Sequence, residues 1–180
     1  MKRFLAAALA VLLSIAPALA VTTKTSYRAT NTALTVTSLN SLATTANLAW
    51  ASALVDNNTN QDIDEMVSVS VTSASSSVSA TGSIGIYVYS CVGGTTTCAD
   101  TVTGSQGTFT LTSPTNLVFV KNCNVVAIST AYNCAAFSVA AAFGGSLPAR
   151  WGVAIVNNTG AALAASGNAV VFDSLQLVSQ

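Results

Sequence analysis

The stretch Val67-Ser68-Val69-Ser70-Val71-Thr72 alternates apolar and polar residues without a break, and this period of two restricts the fold more than any other feature of the chain. Successive side chains of a β-strand point to opposite faces, so strict alternation gives one dry face and one wet face. The same parity holds at Ile84, Ile86 and Val88, opposed by Gly85, Tyr87 and Tyr89, and again at Trp151, Val153 and Ile155 and at Val170 and Phe172. Leu34 and Val36, Leu48, Trp50 and Leu54, Phe109 and Leu111, and Phe137, Val139, Ala141 and Phe143 continue the pattern. Leu117 to Val120 and Val125 to Ile128 read as two short runs broken by Asn122-Cys123-Asn124, and Leu175 and Leu177 follow a bulge near Asp173-Ser174. Turn residues separate the runs at Asp56-Asn57-Asn58, Gly93-Gly94, Gly104, Gly144-Gly145, Asn157-Asn158-Thr159-Gly160 and Gly167-Asn168. About nine short strands joined in this way predict an all-β fold, an antiparallel β-sandwich of jelly-roll-like form. Ala161 to Ala165 is the one piece with helical composition. Residues 21–32 (VTTKTSYRATNT) are polar and unpatterned and read as an N-terminal arm, leaving 33–180 as a single sandwich domain.

Residues 1–20 have a different character. Lys2 and Arg3 precede an apolar run from Phe4 to Ile15, Pro17 breaks any helix, and Ala18-Leu19-Ala20 closes with small residues. That combination is expected of a secretory signal peptide, and the run is too short to span a bilayer as a helix. The expected mature chain begins at Val21 and is extracellular or surface-associated, where thiols oxidise.

Charge is sparse, at 7% of residues. Beyond residue 20 the bases are Lys24, Arg28, Lys121 and Arg150, and the acids are Asp56, Asp62, Asp64, Glu65, Asp100 and Asp173. Scattered bases cannot neutralise a phosphate track, so a nucleic-acid partner is not expected. Few aromatics and Ser/Thr outer faces argue against an outer-membrane barrel, so no membrane insertion is expected. Uncharged polar faces can pack against a neighbour without desolvating ions, which suits a subunit of a repeating assembly.

The four cysteines form two local groups. Cys91 and Cys98 flank a Gly-Gly hairpin loop, and Cys123 and Cys134 flank a strand-like run. Four cysteines allow three connectivities and the sequence does not choose outright among them; local pairing, Cys91–Cys98 and Cys123–Cys134, is expected because Cys91 and Cys98 would lie opposite one another across a hairpin at disulfide distance. A zinc site is the alternative, and it would ask for closer spacing within each pair.

No histidine occurs in the chain, which removes Ser-His-Asp and Cys-His catalysis. A Ser-Lys arrangement through Lys24 or Lys121 remains formally open. Adjacent Asp64 and Glu65 point to opposite faces of an extended segment and cannot flank a sugar together. Asp56, Asn58, Asn60 and Asp62 alternate oxygen ligands as a calcium loop does, although Gln61 and Val67 stand where an EF-hand needs Gly and Glu. A calcium ion there is the one cofactor considered. The plain reading of the same residues is an Asx-rich turn.

Two stretches carry a resemblance. One is Thr37-Ser38-Leu39-Asn40-Ser41-Leu42-Ala43 with Ser52-Ala53-Leu54-Val55-Asp56-Asn57-Asn58-Thr59-Asn60 and the Val-Ser-Val-Ser-Val strand. The other runs from Leu147-Pro148-Ala149 through Asn157-Asn158-Thr159-Gly160-Ala161-Ala162-Leu163-Ala164-Ala165-Ser166-Gly167-Asn168-Ala169-Val170. Together they resemble small β-sandwich virion-associated proteins of tailed bacteriophages, the surface or decoration subunits. The resemblance implies a β-sandwich that packs with itself as a homo-oligomer, or onto a capsid, tail or surface lattice, with no catalysis. The arm, with Val21, Lys24, Tyr27 and Arg28, is the expected reach to a neighbour. A secreted carbohydrate-binding or adhesin-like module is the alternative. Trp50 and Trp151 lie in apolar stripes and are expected in the core.

Overall fold

The computed structural model describes residues 22–92 and 97–179. Residues 1–20, expected as a signal peptide, Val21 and the Gly93-Gly94 turn lie outside the described residues. The strands are β1 (Thr23–Ala33), β2 (Leu48–Ala51), β3 (Val55–Asp56), β4 (Asp64–Thr72), β5 (Ser83–Val92), β6 (Thr97–Cys98), β7 (Gly107–Thr110), β8 (Val118–Asn124), β9 (Ala131–Ser138), β10 (Arg150–Asn158) and β11 (Ala169–Ser179). One short helix, α1 (Val139–Ala142), follows β9.

Setting the short β3, β6 and β7 aside, the strands pair first with last: β1 with β11, β2 with β10, β4 with β9 and β5 with β8. This is one long antiparallel hairpin. It is then wrapped, so that β11 also pairs with β4 and β10 with β5. A four-stranded sheet in the order β1-β11-β4-β9 results, facing a larger sheet in which β8 and β10 flank β5 and β2 follows β10. That order is the jelly roll. β3 lengthens the β10 edge beside β2, β6 lengthens the β5 edge beside β8, and β7 adds outside β2.

The alternating residues meet between the sheets. Val67, Val69, Val71, Val170 and Phe172 come from the four-stranded sheet, and Ile84, Ile86, Val88, Val153 and Ile155 from the larger one. Trp50 and Trp151 are both 0% exposed, as their stripes predict. Each such aliphatic or aromatic side chain contributes about 1.5–3 kcal/mol on burial. The Trp50 indole N–H donates to the Gln106 amide oxygen at 2.9 Å once that amide is turned to satisfy both groups. Trp151 packs edge-on against Phe172, with ring centroids 5.6 Å apart.

Several local expectations give way to tertiary context. The residues read as an arm are paired within the chain, Val21 lying outside the described residues. From Thr23 onward they are β1, hydrogen-bonded along β11. Leu34 and Val36 alternate but are not a strand; both lean on the core from the connection after β1. The bulge expected near Asp173-Ser174 belongs to β1, whose register slips between Tyr27 and Ala29 and again before Thr32, while β11 pairs evenly with β4. Asn122-Cys123-Asn124 does not break a strand but lies inside β8. The helical turn falls at Val139–Ala142, where the Ser138 side chain accepts from Ala141 N, and Leu163 in the Ala-rich piece makes a β-bridge to Ser73 instead.

Asparagine side chains lock the loops of the resemblance motifs. Buried Asn157 donates to Leu42 O at 2.7 Å and Ala161 O at 2.8 Å, and accepts from Thr159 N at 3.0 Å. Asn168 accepts from Thr72 N at 2.9 Å and donates to Asn40 Oδ1 at 2.8 Å. Each satisfies backbone groups that a loop would otherwise bury unpaired.

Part of the outer face of the larger sheet is covered by its own chain, while toward β8 it stays open, with Phe119 53% exposed and edge-on to Tyr87 at 5.4 Å. Ala49, Ala51 and Ala154 leave room for Val102, Leu111 and Leu117, which come from the connection between β5 and β8. Asp100 organises that connection, accepting from Thr101 N (2.7 Å), Thr112 N (3.0 Å), Ser113 N (3.1 Å) and Asn116 Nδ2 (3.0 Å). Partial burial opposes ionisation, but these donors outweigh it and hold the carboxyl well below its ordinary range.

Disulfides join Cys91 to Cys98 and Cys123 to Cys134. The second ties β8 in one sheet to β9 in the other and closes that side of the sandwich. Lys121 Nζ adds a bond to Ala135 O at 2.8 Å across the same gap. Loops of this size stabilise by about 2.5–3 kcal/mol each in the chain-entropy model.

Tyr89 lies across its β10 partner Gly152 and donates to Ser52 O at 2.7 Å, and burial pushes its phenol up to about 12. A β-carbon at Gly152 would meet the Tyr89 ring at 2.4 Å. Gly152→Ala is therefore expected to lower unfolding free energy by about 2 kcal/mol or more in chemical denaturation, as overpacking does. Gly107→Ala, where a β-carbon meets nothing within 4 Å, should leave packing undisturbed in the same measurement.

Candidate functional site

Two features stand out where the sequence concentrates its few charges and its uncharged polar residues. One is a buried ionic cluster beneath β1, and the other is the outer face of the four-stranded sheet.

The cluster begins with Arg28 on β1. Its Nε donates to Asp62 Oδ1 at 2.8 Å and its Nη2 donates to Asp62 Oδ2 at 2.8 Å and to Ser174 Oγ at 3.2 Å. The Asp62 side chain is fully buried while that of Arg28 is 32% exposed. Glu65 sits opposite Ser174 in the ladder and is 1% exposed. It occupies the inward parity of β4, two residues before Val67. One of its oxygens, Oε2, accepts no hydrogen bond. Burial pushes the Glu65 carboxyl up to about 7; the Ser174 hydroxyl and Arg28 pull the other way, and the charge of Asp62 adds to the rise. A protonated Glu65 leaves the cluster one charged carboxylate for its one guanidinium.

The cluster takes up one of the four residues considered for calcium. Asp62 is buried and engaged by Arg28, while Asp56, Asn58 and Asn60 are exposed above it. Asp56 accepts from Asn58 N at 2.9 Å and from Arg150 Nε at 3.1 Å, which hold its carboxyl below the ordinary range. The middle of the loop is filled by the Asn57 amide, which donates to Asp62 O at 3.0 Å and accepts from Asp62 N at 2.7 Å. Among the described residues no group of three or more His, Cys, Asp or Glu is placed to hold a metal ion. Asp56 and Asn58 form an Asx turn, the Asp56 carboxylate also accepting from Asn58 Nδ2 at 2.8 Å. Asp64 is diverted as well, accepting from Ala140 N at 2.9 Å at the start of α1.

Of the arm residues, Lys24 pairs with Val178 and Tyr27 with Leu175 in the chain's own ladder. The structure therefore seats the arm on its own sheet instead of leaving it extended. Sequence reasoning missed both Glu65 as a core-facing acid and Arg28 as its partner's counter-ion. The parity of the Val67-Val69-Val71 strand, carried back two residues, would have placed Glu65 inside.

The outer face of the four-stranded sheet has no covering segment among the described residues. Ser68, Ser70 and Thr72 alternate with the core valines, and Asn133 lies beside Ser70. Toward one end the face turns apolar, with Tyr27 60% and Leu177 55% exposed around Leu175. A surface groove of about 370 Å³ lies elsewhere, between Cys91, Val92, Pro148, Ala149 and Arg150, and no aromatic ring lines it.

These features define a disulfide-closed jelly-roll β-sandwich with one partly self-covered face and one bare face. Compared with protein-family models, characterised proteins and solved structures, the chain matches none. Among the described residues no helix is long and apolar enough to cross a membrane, and two disulfides are compatible with an extracellular protein.

The Glu65 carboxyl gives a signed prediction. Its folded value of about 7 lies above the ordinary 4.5, so folding favours the protonated form. The associated stability is complete below about 4.5 and is lost as pH rises through 7, a change on the order of 3 kcal/mol. Denaturation midpoints are expected to fall between pH 5 and 8, and Glu65→Gln, which mimics the neutral acid, should flatten that slope. Equal slopes in the two proteins would contradict the assignment.

Proposed function

We propose that this chain is a non-catalytic structural subunit of a multimeric surface assembly, exported and displayed on a virion as a capsid decoration or tail-surface protein. The observation that carries the proposal is the bare outer face of the four-stranded sheet, set against a larger sheet whose outer face the β5–β8 connection covers over β2, β5 and β10. The bare face is built from hydroxyl and amide side chains with an apolar end. Burying it against a neighbour costs little ion desolvation, because hydroxyls and amides can exchange water for direct or water-bridged hydrogen bonds. The apolar end at Tyr27, Leu175 and Leu177 supplies the area that loses water on contact. The resemblance of the loop motifs to phage surface subunits supports the same reading. Against a sugar-binding module stand the burial of both tryptophans and a groove without an aromatic platform.

Ser70→Lys tests the proposal. Ser70 points to the bare face, so the variant should fold with an unchanged melting temperature. Its recovery with particles or multimers from the native host should drop about tenfold, the effect of a desolvated, unpaired charge of about 1.4 kcal/mol or more. A native protein that stays monomeric, sediments with no particle and binds a defined glycan tightly would replace this reading.

A further inference from the structure

We propose that β1 is exchanged between copies of this chain: the segment Thr23–Thr30 of one copy lies on β11 of the next, with its Arg28 on the partner's Asp62. This rests on the assembly reading above and names the joint between subunits.

The bond between β1 and its sandwich is of an unusual kind. Every side chain of β1 is exposed or half-buried, so no apolar anchor holds it. What holds it is the main-chain ladder to β11, which is indifferent to which copy supplies the strand, and the Arg28 clasp on Asp62. A hinge separates this segment from the anchored chain. The register slips between Tyr27 and Ala29 and between Ala29 and Thr32, and Asn31 sits in the left-handed region at φ 53°. Just beyond, Leu34 N donates to Val170 O at 2.9 Å, and Leu39 and Leu42 are buried in the core. The chain after the hinge is anchored in the core; the chain before it is held by the ladder and the Arg28 clasp alone.

The opposite side of the sandwich is closed by Cys123–Cys134 and by Lys121 on Ala135 O. Withdrawal of β1 would bare the β11 edge and strip the buried Asp62 of its counter-ion, next to Glu65. An uncompensated buried charge is strongly unfavourable. The vacated place therefore selects a strand that brings an arginine at the matching position along a matching ladder. The β1 of a second copy does both, because it makes the same contacts.

Paired thiols test the exchange in the full chain expressed through an oxidising compartment. Thr25 and Leu177 are ladder partners with exposed side chains, at the spacing of antiparallel neighbours, where a disulfide can close. The Thr25→Cys/Leu177→Cys double variant locks β1 to its own β11. It is expected to lose multimers about tenfold relative to the unaltered chain by light scattering, since the joint is no longer available by mass action. Copies carrying Thr25→Cys alone, assembled with copies carrying Leu177→Cys alone, should oxidise to an interchain pair joining positions 25 and 177 by peptide mapping. A locked variant that assembles as well as the unaltered chain, or assemblies without that cross-link, would overturn the exchange and leave a surface assembly standing. An unaltered chain that forms no multimer, alone or with particles, would overturn both.

Discussion

A strand that alternates with period two can hide only one of its faces, and everything else in this molecule follows from how that constraint is met. Pairing first strand with last and wrapping the resulting hairpin brings the valine parity of β4 and β11 against the isoleucine and tryptophan parity of β5 and β10. Both dry faces are then spent on each other. Two wet faces remain, and the chain treats them differently. On the larger sheet, small residues let Tyr89 lie across Gly152 and let the β5–β8 connection fold down, pinned by Asp100. The other sheet keeps its hydroxyls outward. A low charge density makes that second face cheap to bury, and the functional reading grows from this asymmetry.

The second consequence concerns the end of the sheets, where alternation runs into acidic residues. Glu65 continues the inward parity of β4, so the fold must accommodate a carboxyl at a core position. It does so with Ser174 across the ladder, Asp62 beside it and a single guanidinium from β1. The polar end of the core and the attachment of the edge strand are thus the same structure. A strand without buried side chains is held by a charge pair, and that charge pair sits beside a carboxyl whose protonation falls near neutrality. Stability of the edge and the ionic state of the cluster are linked through Arg28, the one cation among the described residues that reaches it.

Much of the fold is legible in the residues because most strands are half-buried and announce their parity. The local disulfides follow from pairs of cysteines that face one another across short connections. What was not legible depends on distance along the chain. Arg28 and Asp62 are 34 residues apart, and nothing local marks them as partners; without that pairing, Asp56 to Asp62 looks like an ion-binding loop. β1 was hidden because an edge strand with no buried side chain needs no apolar period, only a ladder, which Thr and Ser supply as well as Val does. Leu34 and Val36 misled for the opposite reason: their alternation serves a connection crossing the end of the core, where apolar side chains are buried without strand pairing. At Val139 the capping hydroxyl of Ser138 and the Asp64 carboxylate outweighed the β-like parity and turned the chain into α1.

The central claim is that the bare face of the four-stranded sheet is where this chain meets its neighbours. Hydroxyl-radical footprinting of the protein in its native assembled state and after dissociation measures this directly, because Tyr27, Met66, Leu175 and Leu177 are reactive reporters on that sheet. The account predicts strong protection of these side chains on assembly, with Val92 and Pro148 at the surface groove equally labelled in both states. Protection confined to the groove, with the four-stranded sheet labelled alike in both states, would contradict it.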